Sequence, residues 1–493
     1  MRTRTLVLLA LTVGACSSSE TLRSEFDDEA SSDTGGGDTG ATRPFVPTTP
    51  TPASGCRGIA LPEEQHFVPD GLCASAVAID IGTLRQITFA KNGDLFGATS
   101  DGLILRFRDL DSDGFYRSEE ITRWASVGGT REGNNVAIDE ERGFLYAGGP
   151  GIVRRFPYSP AADSGGDGED IIVELPSTGS HVTHTVKLHD GFLYVHAGSE
   201  NNWVAPTLPG YDNQRAVIKR FPIDATFPLR WTDGDVYARG LRNTVGYTFD
   251  PAGSIYAVDN GIDNLVYEGK DIHEQNPADS VFVVERGRTF GYPYCFGAFE
   301  LVRADGTRVV PGTMLPVERA ENAALPGVAA PPPFTNPHDE AWCADNAVPA
   351  VNLLPAHSAA LDIALVERTN AKLPAPFDEG AFIALHGSWN RDRPTGFKVV
   401  HVKFTEVGST GFDVVFGGGR PGAPEDGPWG WLERPDSGIG ESLVRPVGVA
   451  ISPIDGSLFV SSDNAPVIGQ RSAGVGKGAL YRIAPEATFI TPD

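Results

Sequence analysis

A recurring two-strand phrase constrains the fold of this chain more than any other feature. From residue 80 onward, the chain repeats an aliphatic strand, a polar turn containing Gly, and a second strand that opens with an aliphatic–aromatic pair. The clearest copies are ITFAKNGDLFGAT, VAIDEERGFLYAGG, VKLHDGFLYVHAGS, YTFDPAGSIYAVD and VAISPIDGSLFVSS. Alternating strands bounded by Gly, Asn and Asp are typical of antiparallel hairpins, and continuous helical periodicity is scarce.

The spacing of these copies predicts an all-β fold, a six-bladed β-propeller with long loop insertions. The aliphatic–aromatic pairs follow one another at intervals of 50, 48, 62 and 203 residues, and the last interval has room for another unit around EGAFIALHGSWN. A constant phrase at irregular spacing indicates blades with variable loops, and radial repetition protects strand edges. The closing blade is expected to combine strands from both ends of the domain. A two-sheet sandwich is the alternative, but sandwiches lack such a phrase.

Composition supports a turn-rich globular body. Gly (58) and Pro (38) together form about a fifth of the 493 residues, yet 40% of the chain is hydrophobic. The formal charge is −24, from 40 basic and 64 acidic residues. Because nucleic-acid binders normally carry a basic face, this charge argues against a nucleic-acid partner. Residues 299–349 show little periodicity, and we expect a long insertion on one face of the fold.

The first 55 residues resemble an export signal followed by a tether. Residues 1–16 carry two Arg residues, an apolar run and small residues before Cys16, as in a bacterial lipoprotein signal whose Cys is acylated. A plain secretory signal is the alternative. Residues 17–55 are rich in Ser, Thr, Gly and Pro and are predicted to be a disordered linker before the domain at 56–493. We therefore expect an exported protein, anchored through Cys16 to a membrane in the periplasm or at the outer-membrane or cell surface.

Four cysteines remain in the predicted mature domain, Cys56, Cys73, Cys295 and Cys343. An even number in an exported chain predicts disulfides. Three pairings are possible, and we expect nearest neighbours to pair, Cys56 with Cys73 and Cys295 with Cys343. The sequence holds no CxxCH, so it predicts no c-type haem.

The segment DLDSDGFYRSEE matches the full spacing of a calcium loop. Carboxylates at alternate positions converge on a hard cation, Gly114 permits the turn, and the twelfth position can supply a bidentate ligand. The predicted ligands are Asp109, Asp111, Asp113, the backbone of Phe115, and Glu120. An acidic, solvated hairpin loop is the alternative. Since no helices flank the segment, a structural calcium is expected here rather than a sensor site.

A second group of polar residues flanks the repeated strands at similar places. It comprises His181, His184, Arg242, Asn243, Arg391 and Arg445. In a propeller, such residues could converge on the central channel. A neutral His near several Arg residues would have a lowered pKa and could act as a base. Taken singly, each residue could equally be a loop residue paired with one of the many acids.

From about residue 60 to 485, the chain resembles the glucose/sorbosone dehydrogenase family, which includes quinoprotein sugar dehydrogenases. The segments that carry the resemblance are LRQITF, SHVTHTVKLHDGFLYVHAGS, GLRNTVGYTFDPAGSIYAVDNGIDN, GYPYCFG, PAHSA, ALHGSWNRDRPTGFKVV and RPVGVAISP. The resemblance implies a six-bladed propeller with pyrroloquinoline quinone (PQQ) lying across the top of the channel. It also implies a sugar or polyol substrate whose hydroxyl is oxidised, with electrons passed to an external acceptor.

The same resemblance implies roles for individual residues. His181 aligns with the base that removes the substrate hydroxyl proton, and Arg242 lies with it among the catalytic positions. The expected cofactor contacts are Gln86, Arg242, Asn243, Arg391 and Arg445. The backbone carbonyls of Gly261 and Ile262 match the place where the family holds calcium beside the quinone. Arg side chains form bidentate hydrogen bonds with carboxylates, and PQQ carries three carboxylate groups.

The chain also departs from the family pattern. His184 stands where relatives commonly have Arg, Thr244 where they have Pro, and Arg445 where glucose-oxidising members have two Arg residues. These differences leave the choice of sugar open. Two other functions remain in view: a cell-surface propeller that binds carbohydrate or protein without redox chemistry, and a lactone hydrolase with channel calcium and no quinone.

Overall fold

The chain is almost entirely built of β-strands. The computed structural model describes residues 57–61, 66–128, 135–203, 214–320, 335–366, 373–392, 395–404, 407–417, 444–466, 473–474 and 477–486. The predicted signal, Cys16, the linker and Cys56 lie outside these residues, so the expectations for them stay predictions. Within the described ranges, none of the helices has the length and apolar character needed to cross a membrane.

The first three blades follow one another along the chain. Two leading strands are β1 (Ile59–Ala60) and β2 (Leu72–Ile79). Blade 1 contains β3 (Leu84–Phe89), β4 (Leu95–Thr99), β5 (Leu103–Phe107) and β6 (Ile121–Ser126). Blade 2 contains β7 (Val136–Asp139), β8 (Phe144–Gly149), β9 (Ile152–Pro157) and β10 (Glu169–Val173). Blade 3 contains β11 (Val186–His189), β12 (Phe192–Ala197), β13 (Val217–Pro222) and, after the short β14 (Leu229–Arg230), β15 (Asp235–Arg239). Strand β14 joins the outer edge of blade 2, parallel to β10.

Blade 4 is interrupted by a large insertion. Its stretch carries, in chain order, β16 (Gly246–Phe249), β17 (Ile255–Asp259), β18 (Leu265–Tyr267), β19 (Lys270–Asp271), β20 (Asp279–Val284), β21 (Cys295–Gly297), β22 (Met314–Pro316), β23 (Arg319–Ala320), helix α1 (Glu340–Asn346) and β24 (Asn352–Leu354). The blade itself is the sheet β16-β17-β20-β24, and the other strands form a three-stranded sheet and a hairpin beside it. The described part of the insertion predicted at 299–349 supplies β22, β23 and α1 of this extra structure, which begins before residue 299.

The last two blades complete the ring. Blade 5 contains β25 (Ala360–Val366), β26 (Gly380–Leu385), β27 (Lys398–Val402) and β28 (Asp413–Gly417). Blade 6 contains β29 (Pro446–Ile451) and β30 (Leu458–Ser462) and, after the hairpin β31 (Ala465–Pro466) and β32 (Ala473–Gly474), β33 (Ala479–Pro485). Strand β2 adds to β33, so the closing sheet runs β1-β2-β33-β30-β29. The expected mixture of strands from both ends is confirmed.

The innermost strand of each blade contacts the next one around the ring. In order, these strands are β3, β7, β11, β16, β25 and β29, and β29 contacts β3 again. Six sheets of four or five strands around a closed ring confirm the six-bladed propeller within the described part of the chain.

The aliphatic–aromatic pair of the repeat holds neighbouring blades together. On β4, Leu95 packs in the core shared with blade 6, whereas Phe96 packs in the core shared with blade 2. On β8, Leu145 faces back to blade 1 and Tyr146 faces forward to blade 3. Because successive side chains of a strand point to opposite faces, one pair serves two interfaces. This alternation explains why the phrase recurs in every copy.

A disulfide links the insertion of blade 4 to its helix. Cys295 on β21 is bonded to Cys343 on α1, as predicted. Asp339 caps α1 through its side chain, which accepts a hydrogen bond from the Trp342 backbone. The insertion has a core of its own, in which Trp203, Tyr292 and Phe296 are buried together.

Candidate active site

The residues predicted for catalysis and for the cofactor and its calcium lie at one face of the ring, called the mouth below. His181, Arg242 and Arg445 precede the inner strands β11, β16 and β29. Ile262 and Arg391 follow β17 and β26, the second strands of their blades. Since the first two strands of a blade are antiparallel, the start of one and the end of the other meet at the same face. The mouth therefore brings loops from blades 3 to 6 together.

Asp263 is the centre of a buried charged network at the mouth, the Asp263 cluster. Its carboxylate accepts hydrogen bonds from Arg242 Nη2 at 2.7 Å, from Asn390 Nδ2 at 2.8 Å and from His357 Nδ1 at 3.2 Å. The Arg242 guanidinium also donates to Asn202 from blade 3, through both its backbone and side-chain oxygens. The carboxylate thus fixes groups of blades 4 and 5 directly, and Arg242 extends the network to blade 3.

His357 in this cluster is held as an imidazolium. Its Nδ1 faces the Asp263 carboxylate, and its Nε2 lies 2.7 Å from the His273 carbonyl oxygen. Both partners only accept hydrogen bonds, so both ring nitrogens must donate. Burial alone would lower the pKa of His357, but Asp263 outweighs it and raises that pKa. Burial likewise raises the pKa of Asp263, yet Arg242 and His357 hold it well below its usual range.

His181 presents a neutral imidazole next to this cluster. Its Nδ1 lies 2.8 Å from Ser199 Oγ and 3.1 Å from the Ser199 carbonyl oxygen. Because Ser199 Oγ donates its own proton to the Asn201 carbonyl, both contacts require a proton on Nδ1. The lone pair therefore lies on Nε2. Burial and the charge of Arg242 lower the pKa of His181 well below 6.5, so the ring stays neutral near pH 7.

The loop that carries Arg242 and Asn243 is braced by Asp259 at the end of β17. The Asp259 carboxylate accepts the backbone N–H groups of Arg242 and Asn243 and the Thr244 hydroxyl. Burial raises the pKa of Asp259 to about 6. The Asn243 side chain is 8% exposed, and its carboxamide has no hydrogen-bond partner among the described residues. That carboxamide is available to a ligand.

The carbonyl oxygens of Gly261 and Ile262 are available as well. Neither accepts a hydrogen bond from the residues that the structure describes, whereas the Gly261 N–H donates to Asp279 at 3.0 Å. A Cβ at position 261 would lie 2.6 Å from Pro277 Cγ, so the close approach requires glycine. Unpaired carbonyl oxygens are the type of ligand that calcium takes. The residues present therefore fit the calcium predicted there.

A second charged group, the Asp463 cluster, lies at the mouth between blades 5, 6 and 1. His386 Nε2 lies 2.7 Å from Asp463 Oδ2, and Arg85 donates to the same oxygen at 3.3 Å. Burial raises the pKa of Asp463, but Arg85 and His386 bring it well below its usual range. Burial and the neighbouring Arg445 lower the pKa of His386 to about 4. Arg445, a predicted cofactor contact, thus lies beside a neutral imidazole held by an ionised carboxylate.

Two other predicted cofactor contacts have partners within the protein. Gln86 is 2% exposed, and its amide donates to the backbone carbonyls of Val245 and Leu361 at 3.0 Å and to Asp362 at 3.2 Å. Its amide protons therefore brace inner strands of blades 1, 4 and 5. Arg391 donates from Nε to Glu274 at 3.2 Å and from Nη1 to the Ala356 carbonyl at 3.2 Å. Their contact with a cofactor stays a prediction.

His184, which replaces the Arg of relatives, is fully buried. Its Nδ1 lies 3.2 Å from the His196 carbonyl oxygen, and burial lowers its pKa to about 4. His196 is equally buried, and its pKa is lowered to about 3. The pair is neutral and belongs to the packing of blade 3.

The acidic loop lies away from the mouth. It connects β5 to β6, at the opposite face of blade 1. Carboxylate oxygens of Asp109, Asp111 and Glu120 lie within 4.8 Å of one another. Burial and the neighbouring acids raise the pKa of Asp109, and the Arg117 guanidinium pairs with Asp111 and Asp113. Three of the predicted ligands, Asp109, Asp111 and Glu120, thus lie together. The roles of Asp113 and of the Phe115 carbonyl stay predictions.

Sequence reasoning did not single out several residues of the mouth. Asp263, His357, His386 and Asn390 lie in segments that carried the family resemblance, DNGIDN, PAHSA and HGSWN, but the pattern did not tell them from their neighbours. Asp463 had no such signal. Its partners Arg85 and His386 are 378 and 77 residues away in sequence, so only the closed ring brings them together.

The chain is similar in sequence to known proteins. The TrAA12-like family model matches residues 67–468. The pyrroloquinoline quinone-dependent pyranose dehydrogenase of Coprinopsis cinerea is 28% identical over 432 residues, which cover 83% of this chain and 55% of that protein. The chain therefore spans about half the length of this curated relative. The pyrroloquinoline quinone-dependent sugar dehydrogenase of Hypocrea jecorina is 24% identical over 432 residues, covering 83% of this chain and 90% of that protein.

Solved structures agree on the fold. The holo form of the pyranose dehydrogenase PQQ domain from Coprinopsis cinerea has a TM-score of 0.66 and 25% identity, and the match covers 86% of this chain and 98% of that chain. A Trichoderma reesei structure of carbohydrate-active enzyme family AA12 has a TM-score of 0.67 at 21% identity, covering 87% and 99%. The predicted resemblance to quinoprotein sugar dehydrogenases is confirmed. Because the family model spans the greater part of its 493 residues, the chain belongs to the TrAA12-like family.

Proposed function

We propose that this protein is an exported oxidoreductase that oxidises a hydroxyl of a sugar or polyol with bound PQQ and calcium. The names of the relatives support this function, because they are PQQ-dependent pyranose and sugar dehydrogenases. The observation that carries it is His181, a neutral base with its lone pair on Nε2, beside a buried arginine at the mouth. A dye-reduction assay with added quinone and calcium tests it.

The residues of the mouth would have different roles in such a reaction. His181 Nε2 takes the proton of the substrate hydroxyl, and Ser199 keeps the ring in the tautomer that makes this possible. Arg242, fixed by Asp263 and Asn202, keeps a positive charge beside the base and so prevents it from holding a proton before substrate arrives. When bound, the quinone supplies the hydride acceptor for the carbon that carries the hydroxyl.

The chain offers a consistent set of groups for the cofactor. Arg242, Asn243, Arg391 and Arg445 would hold the carboxylates and ring oxygens of PQQ, with Gln86 bracing the strands beneath. The unpaired Asn243 carboxamide supports this assignment. The Gly261 and Ile262 carbonyls would hold a calcium ion, which adds Lewis acidity to the site. Electrons would leave to an external acceptor, since the sequence has no CxxCH for a haem.

Export and anchoring complete the proposal. A lipidated Cys16 followed by the linker at 17–55 would hold the propeller away from a membrane surface. The net charge of −24 would repel anionic lipid, so the acyl group rather than electrostatic attraction would be the anchor.

A calcium ion in the acidic loop is expected to stabilise blade 1. The calcium ion would displace the Arg117 guanidinium from Asp111 and Asp113 and would bind the carboxylate of the buried Glu120. Asp111→Ala should lower the melting temperature in calcium by several degrees and reduce the shift between calcium and chelator, because it removes ligand-linked stability. Differential scanning calorimetry measures both effects. Asp345→Ala, at an exposed acid on α1, is the control. A parent protein whose melting ignores calcium would contradict the site.

A further inference from the structure

The loop His386–Asn390 of blade 5 is pinned at both ends to carboxylates of neighbouring blades. His386 Nε2 donates to Asp463 of blade 6 at 2.7 Å, and Asn390 Nδ2 donates to Asp263 of blade 4 at 2.8 Å. The Asn390 carbonyl also accepts from His273 Nε2 at 2.7 Å. The loop thus spans the space between the two charged clusters of the mouth.

The middle of the loop is equally constrained. Ser388 exchanges two hydrogen bonds of 2.8 Å with Thr395, one from each backbone N–H group. Gly387 has φ +118°, and a Cβ there would lie 2.4 Å from the Phe397 ring, so the backbone is packed against that ring. The backbone on both sides of Trp389 therefore has little freedom to move.

Trp389 is exposed on this rigid support. Its side chain is 39% exposed, and it is the only aromatic residue among the large exposed apolar side chains of the described chain. Single exposed apolar residues are ordinary on a surface. Trp389 differs because its loop lies between the Asp263 cluster, which is next to His181, and the Asp463 cluster. An exposed indole on a constrained backbone at such a place offers a flat apolar surface to a ligand.

The groups that pin the loop favour a ligand rich in hydroxyls. Asp463 Oδ1 and Asn390 Oδ1 are buried and have no hydrogen-bond partner among the described residues. An unpaired buried acceptor is costly and is normally satisfied by a donor. A pyranose combines an apolar face of C–H groups with a rim of hydroxyl donors, so it matches an exposed indole on a loop whose two ends carry unpaired acceptors.

We propose that Trp389 is the platform on which the pyranose ring of the substrate stacks. The inference rests on the proposed sugar oxidation and adds the residue that selects a ring over an open chain. Stacking adds binding without chemistry, so it is uniform in the ground and transition states and appears in KM.

Trp389→Ala and Trp389→Phe test the platform in the quinone-loaded protein. With the pyranose that the parent oxidises fastest, Trp389→Ala should raise KM about tenfold or more and leave kcat within about twofold. Trp389→Phe should stay within about threefold of the parent in both constants, because it keeps an aromatic face. Val407→Ala is the control, since Val407 is 65% exposed in the same blade but lies between β27 and β28, at the face away from the mouth. An unchanged KM for Trp389→Ala, or a loss confined to kcat, would overturn the platform while leaving sugar oxidation intact.

Saturation-transfer NMR gives a readout independent of turnover. D-glucose, D-galactose and D-mannose are each mixed with parent and with Trp389→Ala, and D-glucitol serves as the open-chain comparison. The ring C–H protons of at least one pyranose should receive saturation from the parent and lose most of it in the variant. If the parent oxidises no sugar, the proposed function fails, and this experiment still decides on the platform. No transfer from the parent to any pyranose, or equal transfer in both proteins, refutes it.

Discussion

Replacing His181 with alanine is expected to lower kcat by a factor of about 10² to 10⁴, the usual contribution of general acid–base catalysis. The reason is geometric: Ser199 occupies Nδ1, so Nε2 is the nitrogen left to take a proton. PQQ retention, measured by equilibrium dialysis, should change little, because the base acts mainly in the transition state. His189→Ala is the matched control, since His189 ends β11 at the far face and stacks on Phe249. A variant with parental kcat would remove His181 from the mechanism.

The same histidine predicts a pH profile. Burial and Arg242, with a minor share from His196, lower the pKa of His181, whereas Asp263 opposes them. A lowered pKa means that the neutral, active ring persists as pH falls below 6.5. The kcat/KM of the parent should therefore stay level from pH 8 to below pH 6.5 and decline only in more acidic solution. A decline centred at pH 6.5 or above would show that the base is not this buried imidazole.

Replacing Asp263 with alanine is expected to cost about 3–5 kcal/mol of unfolding free energy, as for the loss of one partner in a buried ion pair. Arg242 would remain buried without its counter-charge, His357 would lose the carboxylate that raises its pKa, and Asn390 would lose its acceptor. Urea denaturation followed by fluorescence measures the loss. PQQ affinity should fall as well, because Arg242 loses its orientation.

Asp235→Ala is the control for this substitution. Asp235 pairs with Arg220 at 2.9 Å and Arg286 at 2.8 Å, but its side chain is 48% exposed. Exposed pairs contribute roughly 0–1 kcal/mol, so this variant should unfold almost like the parent. If Asp263→Ala proved as mild as Asp235→Ala, the Asp263 cluster would not organise the mouth.

The sequence was sufficient for the architecture because the propeller repeats a local pattern. Leu95 and Phe96 are adjacent in the chain, and each packs against a different neighbouring blade. The sequence of this pair alone therefore indicates how the blades pack. The closing of the ring by β2 and β33 follows from the same repetition. Cys295 and Cys343 could be paired as neighbours, and the structure confirms the bond.

The network of the mouth could not be predicted in the same way. Asp263 joins Arg242, 21 residues before it, to His357, 94 residues after it, and no periodic pattern links three such positions. The resemblance to relatives identified which segments meet but not which side chains carry charge between them. For Gln86, the resemblance implied a cofactor contact, but the structure shows its amide group donating to backbone carbonyls.

Dye reduction by the propeller is the most direct test of the proposed function. Protein lacking residues 1–55 is reconstituted with PQQ and calcium and assayed with a panel of aldoses and polyols, with quinone-free protein and His181→Ala as controls. The account predicts reduction that requires quinone, depends on a pyranose substrate and is lost in His181→Ala. If no sugar supports reduction and dialysis shows no quinone retained, the oxidoreductase is contradicted, and a propeller that binds carbohydrate or protein without redox chemistry takes its place.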